Sequence, residues 1–309
     1  MESLGNSLGV RPSEIEPIGE PALAPHLAIS GLLKPEDTLI YSQVDRKEVF
    51  ALARRQKSTL ELPVNRLGNI LLDSLSPTVR GVLALQGANA ETGVIQDVEG
   101  ISAAFPDLRL ACDYSSGGVR IALPHRWETA FFDAKSWQGP PGLGFVAIRE
   151  GAPWKNPLPH LSNLRSPQSL CLPLIIAAAV ALEEWIESEK KQAQRLRTLS
   201  FELRSEIALS IENCDIAGDL STSLPHITSL SFLYVQGEEL LRKLEKKGFA
   251  VDSGSACTAE DLKPSHVLAA MGLLTHGNIR ITLHHGVDQV SVHELISAIR
   301  TAVSELRTS

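Results

Sequence analysis

Short apolar runs with β-branched or aromatic residues recur through the first half of the chain, at 38–41, 82–85, 108–112, 129–132 and 145–148, and their length and bounding polar residues predict strands. Between them, stretches at 46–55, 67–75 and 96–105 carry apolar residues at helical spacing and predict helices. That alternation predicts an α/β layered domain on a mostly parallel sheet. From 174 to about 209 the period turns wholly helical, with Ile175, Ala179, Leu182 and Ile186 followed by Leu196, Leu199 and Leu203 among Glu and Lys partners. A long helix over about 171–210 therefore bridges two domains, placed at 1–195 and 196–309. The remainder predicts a strand at 227–235, a helix at 237–247 ended by Gly248 and a closing helix at 292–306, a smaller α+β domain. No internal repeat or low-complexity linker interrupts this order.

Composition narrows the function classes. The 309 residues carry 29 Lys and Arg against 36 Asp and Glu, a formal charge of −7, so nothing draws the chain as a whole to nucleic acid or anionic lipid. The most apolar run, 170–182, is broken by Pro173 and falls short of the roughly 20 residues a membrane helix needs. Four cysteines, Cys112, Cys171, Cys214 and Cys257, stand far apart with no CxxC pair, and the start MESLGNSLGV has neither a basic nor an apolar leader segment. Free thiols in a reducing, cytoplasmic setting are the expectation. His276, His284, His285 and His293 lack Asp, Glu or Cys at zinc-like spacing, and no metal is expected.

Three positions carry candidate chemistry. Asp252-Ser253-Gly254-Ser255-Ala256-Cys257-Thr258 sets a lone thiol in a turn of small residues. Asp113 follows the expected strand LRLAC, and Lys135 follows TAFFD and precedes the Gly and Pro turn at 139–144. In an open α/β sheet, ligands lie outside the carboxyl ends of strands, where both residues fall. A lysine there is placed to form a Schiff base, and a carboxylate there can hold a heterocyclic nitrogen protonated, the arrangement that pyridoxal phosphate uses. The alternative on spacing alone is a surface lysine beside an N-capping aspartate.

The stretch LPHITSLSFLYVQGEELLRKLEKKGFAVDSGSACTAEDLKPSHVLAAMG, ending GNIRITL, resembles the carboxy-terminal domain of cysteine desulfurases of the class V aminotransferase family. Upstream, Ala88-Asn89-Ala90-Glu91-Thr92-Gly93 is similar to the family's Asn-Asn-Glu-Thr-Gly segment, Asp113 to its pyridine aspartate and Lys135 to its cofactor lysine, and the resemblance runs from about Leu8 to the end. It implies a fold type I, pyridoxal phosphate dependent transferase-like large domain with a mostly parallel sheet, plus the smaller α+β domain. It also implies a reaction: Lys135 carries pyridoxal 5'-phosphate and moves the Cα proton of L-cysteine, and Asp113 and Asn89 hold the ring. Arg280 and Asn89 hold the substrate, and Cys257 takes the sulfur as a persulfide, leaving alanine. Sulfur then passes to an acceptor protein, as in iron–sulfur cluster assembly, and the enzyme is a cytoplasmic homodimer.

The chain departs from that pattern in its supporting residues. It begins near the family's second helix. Pro17-Ile18-Gly19-Glu20-Pro21-Ala22 stands where the family has a Gly-rich, Thr-bearing phosphate turn. Asp45-Arg46 falls where the family's stacking His lies, so Arg46 would stack on the ring without shuttling a proton. Ala90, Ser116, Phe132-Asp133-Ala134 and Arg165-Ser166-Pro167-Gln168 replace other conserved donors of the family pattern. Three functions follow: a working desulfurase, a degenerate homologue acting as a binding or dimerising partner, and a class V aminotransferase or lyase on another amino acid.

Overall fold

The computed structural model describes residues 1–160, 165–166, 171–253 and 264–308. Cys257, Pro167, Gln168, Leu262 and Lys263 lie outside the described residues. Two units are distinguished, one of 1–63, 70–89 and 96–189, the other of 64–69, 90–95 and 190–309.

The first unit begins with α1 (Glu2–Leu8), β1 (Ile15–Ile18), α2 (Ala24–Ser30), β2 (Thr38–Ser42), α3 (Lys47–Ala53) and β3 (Thr59–Leu62). There follow β4 (Gly81–Gln86), α4 (Val98–Ala104), β5 (Arg109–Asp113), β6 (Thr129–Asp133), β7 (Gly144–Ile148) and the opening turns of α5 (Leu172–Ser210). Its seven-stranded sheet runs in the order β1-β7-β6-β5-β4-β2-β3. The five strands from β3 to β6 are mutually parallel, while β7 and β1 add an antiparallel edge. The central strands read as apolar runs because both faces are covered, with Leu83, Leu85, Leu110 and Phe132 in one core cluster and Leu39, Val82 and Ala111 in another.

The second unit takes the rest of α5, β8 (Cys214–Ile216), β9 (Ile227–Phe232), α6 (Gly237–Lys246), α7 (His266–Ala270), β10 (Ile279–Thr282) and α8 (Gln289–Thr308). Its antiparallel sheet runs β10-β9-β8. Leu199, Leu203 and Ile207 of α5 join Leu230, Ile281, Leu295 and Ile299 in its core.

The helix expected over 67–75 does not form. Asn65 Oδ1 accepts from the N–H groups of both Leu67 and Asn69, at 3.0 Å each, and Gly68 adopts φ 86°. This side-chain turn competes with the helical ladder, and the apolar spacing that imitated a helix places Ile70, Leu72 and Leu75 against the core of the first unit. The short edge strands β1 and β3 went unpredicted: IEPI contains a proline, which an edge strand tolerates, and TLEL is a bare four residues. Gly248, past α6, holds φ 88°, the left-handed ending expected of it.

Candidate active site

Four adjacent parallel strands end on polar residues: β2 on Ser42, β4 on Gln86, β5 on Asp113 and β6 on Asp133. Gln86 and Asp113 are direct neighbours in the ladder. The carboxyl edge of the first unit's sheet thus gathers amide and carboxylate groups where loops leave the strands, the place such sheets bind ligands.

Asp113 Oδ1 accepts from both the N–H (2.8 Å) and the hydroxyl of Ser115, and its Oδ2 lies 3.8 Å from Arg46 Nη1. Burial pushes the Asp113 carboxyl above its usual range, opposed by the Arg46 charge and the Ser115 bonds. Arg46 is fixed from its other side by Glu48, with Nε to Oε2 at 2.9 Å and Nη2 to Oε1 at 3.3 Å, a paired fork that sets the guanidinium plane. Arg46 Nη1 also donates to Ser115 Oγ at 3.2 Å, closing the network on itself.

Beneath it, Gln86 Nε2 donates to Val44 O and to Asp45 Oδ1, both at 3.0 Å. Asn89 Nδ2 donates to Val44 O at 2.9 Å and to Gln86 Oε1 at 3.0 Å, so the Asn89 amide braces the loop that carries Asp45 and Arg46. Asp45 Oδ2 accepts the Ser42 N–H at 2.6 Å. Burial pushes the Asp45 carboxyl up to about 7; the Asp113 charge adds to this, while Ser42, Gln86 and Arg46 oppose it. A carboxyl raised in the folded state stabilises the fold fully below its unfolded pKa, and that stabilisation is lost as pH rises toward and through the folded value. Between pH 5 and 8 the wild-type Tm should fall by roughly 4 °C more than that of Asp45→Asn, which mimics the protonated form. Parallel Tm curves for the two proteins contradict this coupling.

Lys135 sits in the 3₁₀ turn Ala134–Trp137 that follows β6. Asp133 Oδ1 caps the turn through the Lys135 N–H at 2.9 Å, and its Oδ2 lies 3.7 Å from Lys135 Nζ. The Lys135 side chain is 63% exposed and that of Asp133 only 17%, so the amine is presented while its capping carboxylate is held. The turn is anchored below by Trp137, whose Nε1 donates to Ala178 O at 3.1 Å and whose ring stacks on Phe145. Arg120, lying over the Trp185 ring at 4.1 Å, donates to Ser136 O and holds it from the side.

In the second unit, Arg280 of β10 pairs with Asp252 and donates to Ala90 O at 3.3 Å. Glu91 beside it is buried, which raises its carboxyl, opposed by Ser265, His266 and Arg280. The first unit therefore brings Asp113, Arg46, Asn89 and Lys135 to one sheet edge, Arg280 belongs to the second unit, and Cys257 is outside the described residues. The supporting partners Glu48, Ser115 and Gln86 were not singled out in the sequence. Asp113-x-Ser115 is nonetheless a turn signature, since a short polar side chain two residues on can bond back to the aspartate. Cys112, within β5, is fully buried, and burial pushes its thiol far above the usual range. Among the described residues no group of His, Cys, Asp and Glu is placed to hold a metal ion, and no helix is long and apolar enough to cross a membrane.

These groups fit the pyridine end of pyridoxal phosphate: a buried carboxylate to accept from the ring nitrogen, a planar guanidinium beside it and an exposed amine for the aldehyde. The turn aligned with the family's phosphate site fits less well. Glu20 folds its own carboxylate onto the Ala22 N–H at 3.1 Å, and Pro21 has no N–H to offer. That turn packs beside the start of β7, where a Cβ on Gly144, the ladder partner of Asp133, would lie 3.1 Å from Pro21 Cα.

The mostly parallel sheet with helices on its faces is a fold type I, transferase-like α/β arrangement, with an amine and a carboxylate at adjacent strand ends. Residues 172–295 match the family described as Aminotransferase class-V. A cysteine desulfurase of Nostoc sp. is 29% identical over 297 residues, covering 89% of this chain and 74% of that protein. The cysteine desulfurase IscS of Dictyoglomus turgidum is 27% identical over 329 residues, covering 99% and 83%. Among solved structures, a NifS-like protein superposes with a TM-score of 0.85 at 25% identity over 98% of this chain and 86% of that one. The apo cysteine desulfurase from Thermococcus onnurineus NA1 gives 0.84 at 16% identity, over 98% and 82%, a likeness of fold. Over 172–295 the chain is similar to class V aminotransferases, and over most of its length it is similar to cysteine desulfurases.

Proposed function

We propose that the chain is a pyridoxal phosphate dependent cysteine desulfurase, converting L-cysteine to alanine with Cys257 as the sulfur-accepting thiol. The observation that carries the reading is the exposed Lys135 amine at the end of β6, beside the Arg46-paired Asp113 carboxylate at the end of β5. Asp113, Arg46 and Lys135 would hold the cofactor by its pyridine end, while Asn89, its two N–H donors given to Val44 O and Gln86 Oε1, braces the loop that carries Arg46; when bound, the cofactor supplies an electron sink for charge developing on the substrate. The Lys135 amine is placed to take the proton from the substrate Cα as general base and to return one as general acid. Arg46 cannot move a proton, so at this site its task is to balance Asp113. Arg280 binds the substrate carboxylate through its planar fork.

Cys257 Sγ, as thiolate, attacks the substrate sulfur. An S–S bond forms, the substrate Cβ–S bond breaks, and Cβ takes a proton, so that R–SH and the enzyme thiol become R–H and the enzyme persulfide with no outside oxidant. The persulfide passes to a thiol acceptor protein. The reading includes a homodimer and a cytoplasmic setting, in line with the free thiols.

With pyridoxal phosphate, L-cysteine and a reductant, alanine and sulfide should appear in equal amounts, and Cys257→Ala should lower both by at least about 100-fold. Undiminished turnover in Cys257→Ala would instead mark a lyase or aminotransferase in which that thiol takes no part.

A further inference from the structure

Arg280 already holds a carboxylate. Asp252 and Arg280 exchange both backbone hydrogen bonds, Arg280 N–H to Asp252 O at 2.6 Å and Asp252 N–H to Arg280 O at 3.0 Å, an isolated antiparallel bridge on β10. Directly opposed residues in such a pair put their side chains on one face, so the backbone itself delivers the carboxylate to the guanidinium. The carboxylate is also oriented: Asp252 Oδ1 accepts the Ser253 N–H at 2.8 Å, which turns Oδ2 to Arg280 Nη2. Arg280 Nη1 meets Ala90 O, and the neighbouring Glu91 adds a second acidic group that feels the same guanidinium. Arg280 is 27% exposed and Asp252 66%, so this ion pair is wet enough to be exchanged for another carboxylate.

We propose that Asp252 determines the affinity of this site for the α-carboxylate of the substrate, occupying the Arg280 fork at rest and giving way when L-cysteine binds. The inference rests on the reading of Arg280 as the carboxylate-binding residue. A substrate lacking the α-carboxylate cannot displace Asp252 with equal strength, so the pair selects for an amino acid over an aminothiol. Asp252→Asn keeps an acceptor for the Ser253 N–H and removes the competing charge; Asp252→Ser is a second variant without it.

The test is the rate at which phenylglyoxal modifies Arg280, followed by peptide mass spectrometry on the full chain with and without L-cysteine, together with KM and kcat. Arg280 should be modified roughly fivefold faster in Asp252→Asn, L-cysteine should protect it at roughly fivefold lower concentration, and KM should fall by more than kcat changes. Equal modification rates in wild type and both variants overturn the inference while leaving desulfurase turnover untouched. Failure of L-cysteine to protect Arg280 in any of the proteins overturns the carboxylate-binding role of Arg280 and the inference with it.

Discussion

Lys135→Ala should lower L-cysteine-dependent alanine release by at least about 10³-fold while leaving thermal stability within about 0.5 kcal/mol of wild type. The two halves of that expectation come from separate observations. The side chain is mostly exposed and meets Asp133 Oδ2 at 3.7 Å, a contact too wet and too long to contribute much to folding. The backbone of the turn is held by groups the substitution leaves in place, the Asp133 cap on the residue 135 N–H and the Ser136 hydroxyl donating to Asp133 O at 2.7 Å. In the proposed reading, loss of the amine therefore removes covalent anchoring and proton transfer together and little else. Lys135→Arg keeps the charge and should fail equally, because a guanidinium at neutral pH is neither a nucleophile nor a base. Alanine release above a tenth of wild type in Lys135→Ala, measured at matched cofactor concentration, contradicts the role given to this residue.

Trp137→Ala should have the opposite signature, a loss of about 3–5 kcal/mol in stability and a Tm lower by roughly 5–8 °C. Trp137 is fully buried, its ring stacked on Phe145 at 5.9 Å between centroids, and its N–H is satisfied by Ala178 O in α5. Truncation opens a large cavity beneath the turn that carries Lys135 and leaves a buried acceptor with one partner fewer. The indole thus links core packing to the site: the same residue that fills the first unit's core fixes the height of the turn above the sheet. Calorimetry of the two variants side by side separates the effects, since the lysine should change turnover at constant Tm and the tryptophan should change Tm. A Trp137→Ala protein within 1 kcal/mol of wild type would show that the turn is held by Arg120 and Asp133 alone.

The parts of the fold legible in the sequence were those where both faces of an element are buried. Strands β4, β5, β6 and β7 are continuous apolar runs, and each of β4, β5 and β6 stops at one polar residue, which is why Asp113 and the Lys135 turn stood out as strand ends. Edge strands were illegible for the converse reason: β3 alternates exposed and covered positions over four residues, too few for a period to register. The apparent helix at 67–75 failed because a single side chain, Asn65, ties down two amides that the spacing of Leu67, Ile70, Leu71 and Leu75 does not reveal. In the site, residue types pointed to Asp113, Lys135 and Arg46, but not to the geometry that tunes them. Glu48 follows Arg46 by two residues, a separation at which helix side chains do not face each other; they meet because Arg46 is the extended residue preceding α3. The Asp252 and Arg280 pair spans 28 residues and depends on a backbone bridge outside any regular strand, which no local pattern announces.

Glu20 bears on the proposed cofactor site. Its carboxylate takes the Ala22 N–H at the start of the turn leading into α2, which in the proposed reading leaves cofactor binding to the ring end and to Lys135. The most direct measurement is accordingly a visible absorbance titration of the purified chain with pyridoxal phosphate, run beside Lys135→Ala, with L-cysteine added to the saturated form. Wild type should show a saturable band that Lys135→Ala lacks and that shifts on addition of L-cysteine. No band at saturating cofactor, or one that is equal in the two proteins, would contradict the proposed reading.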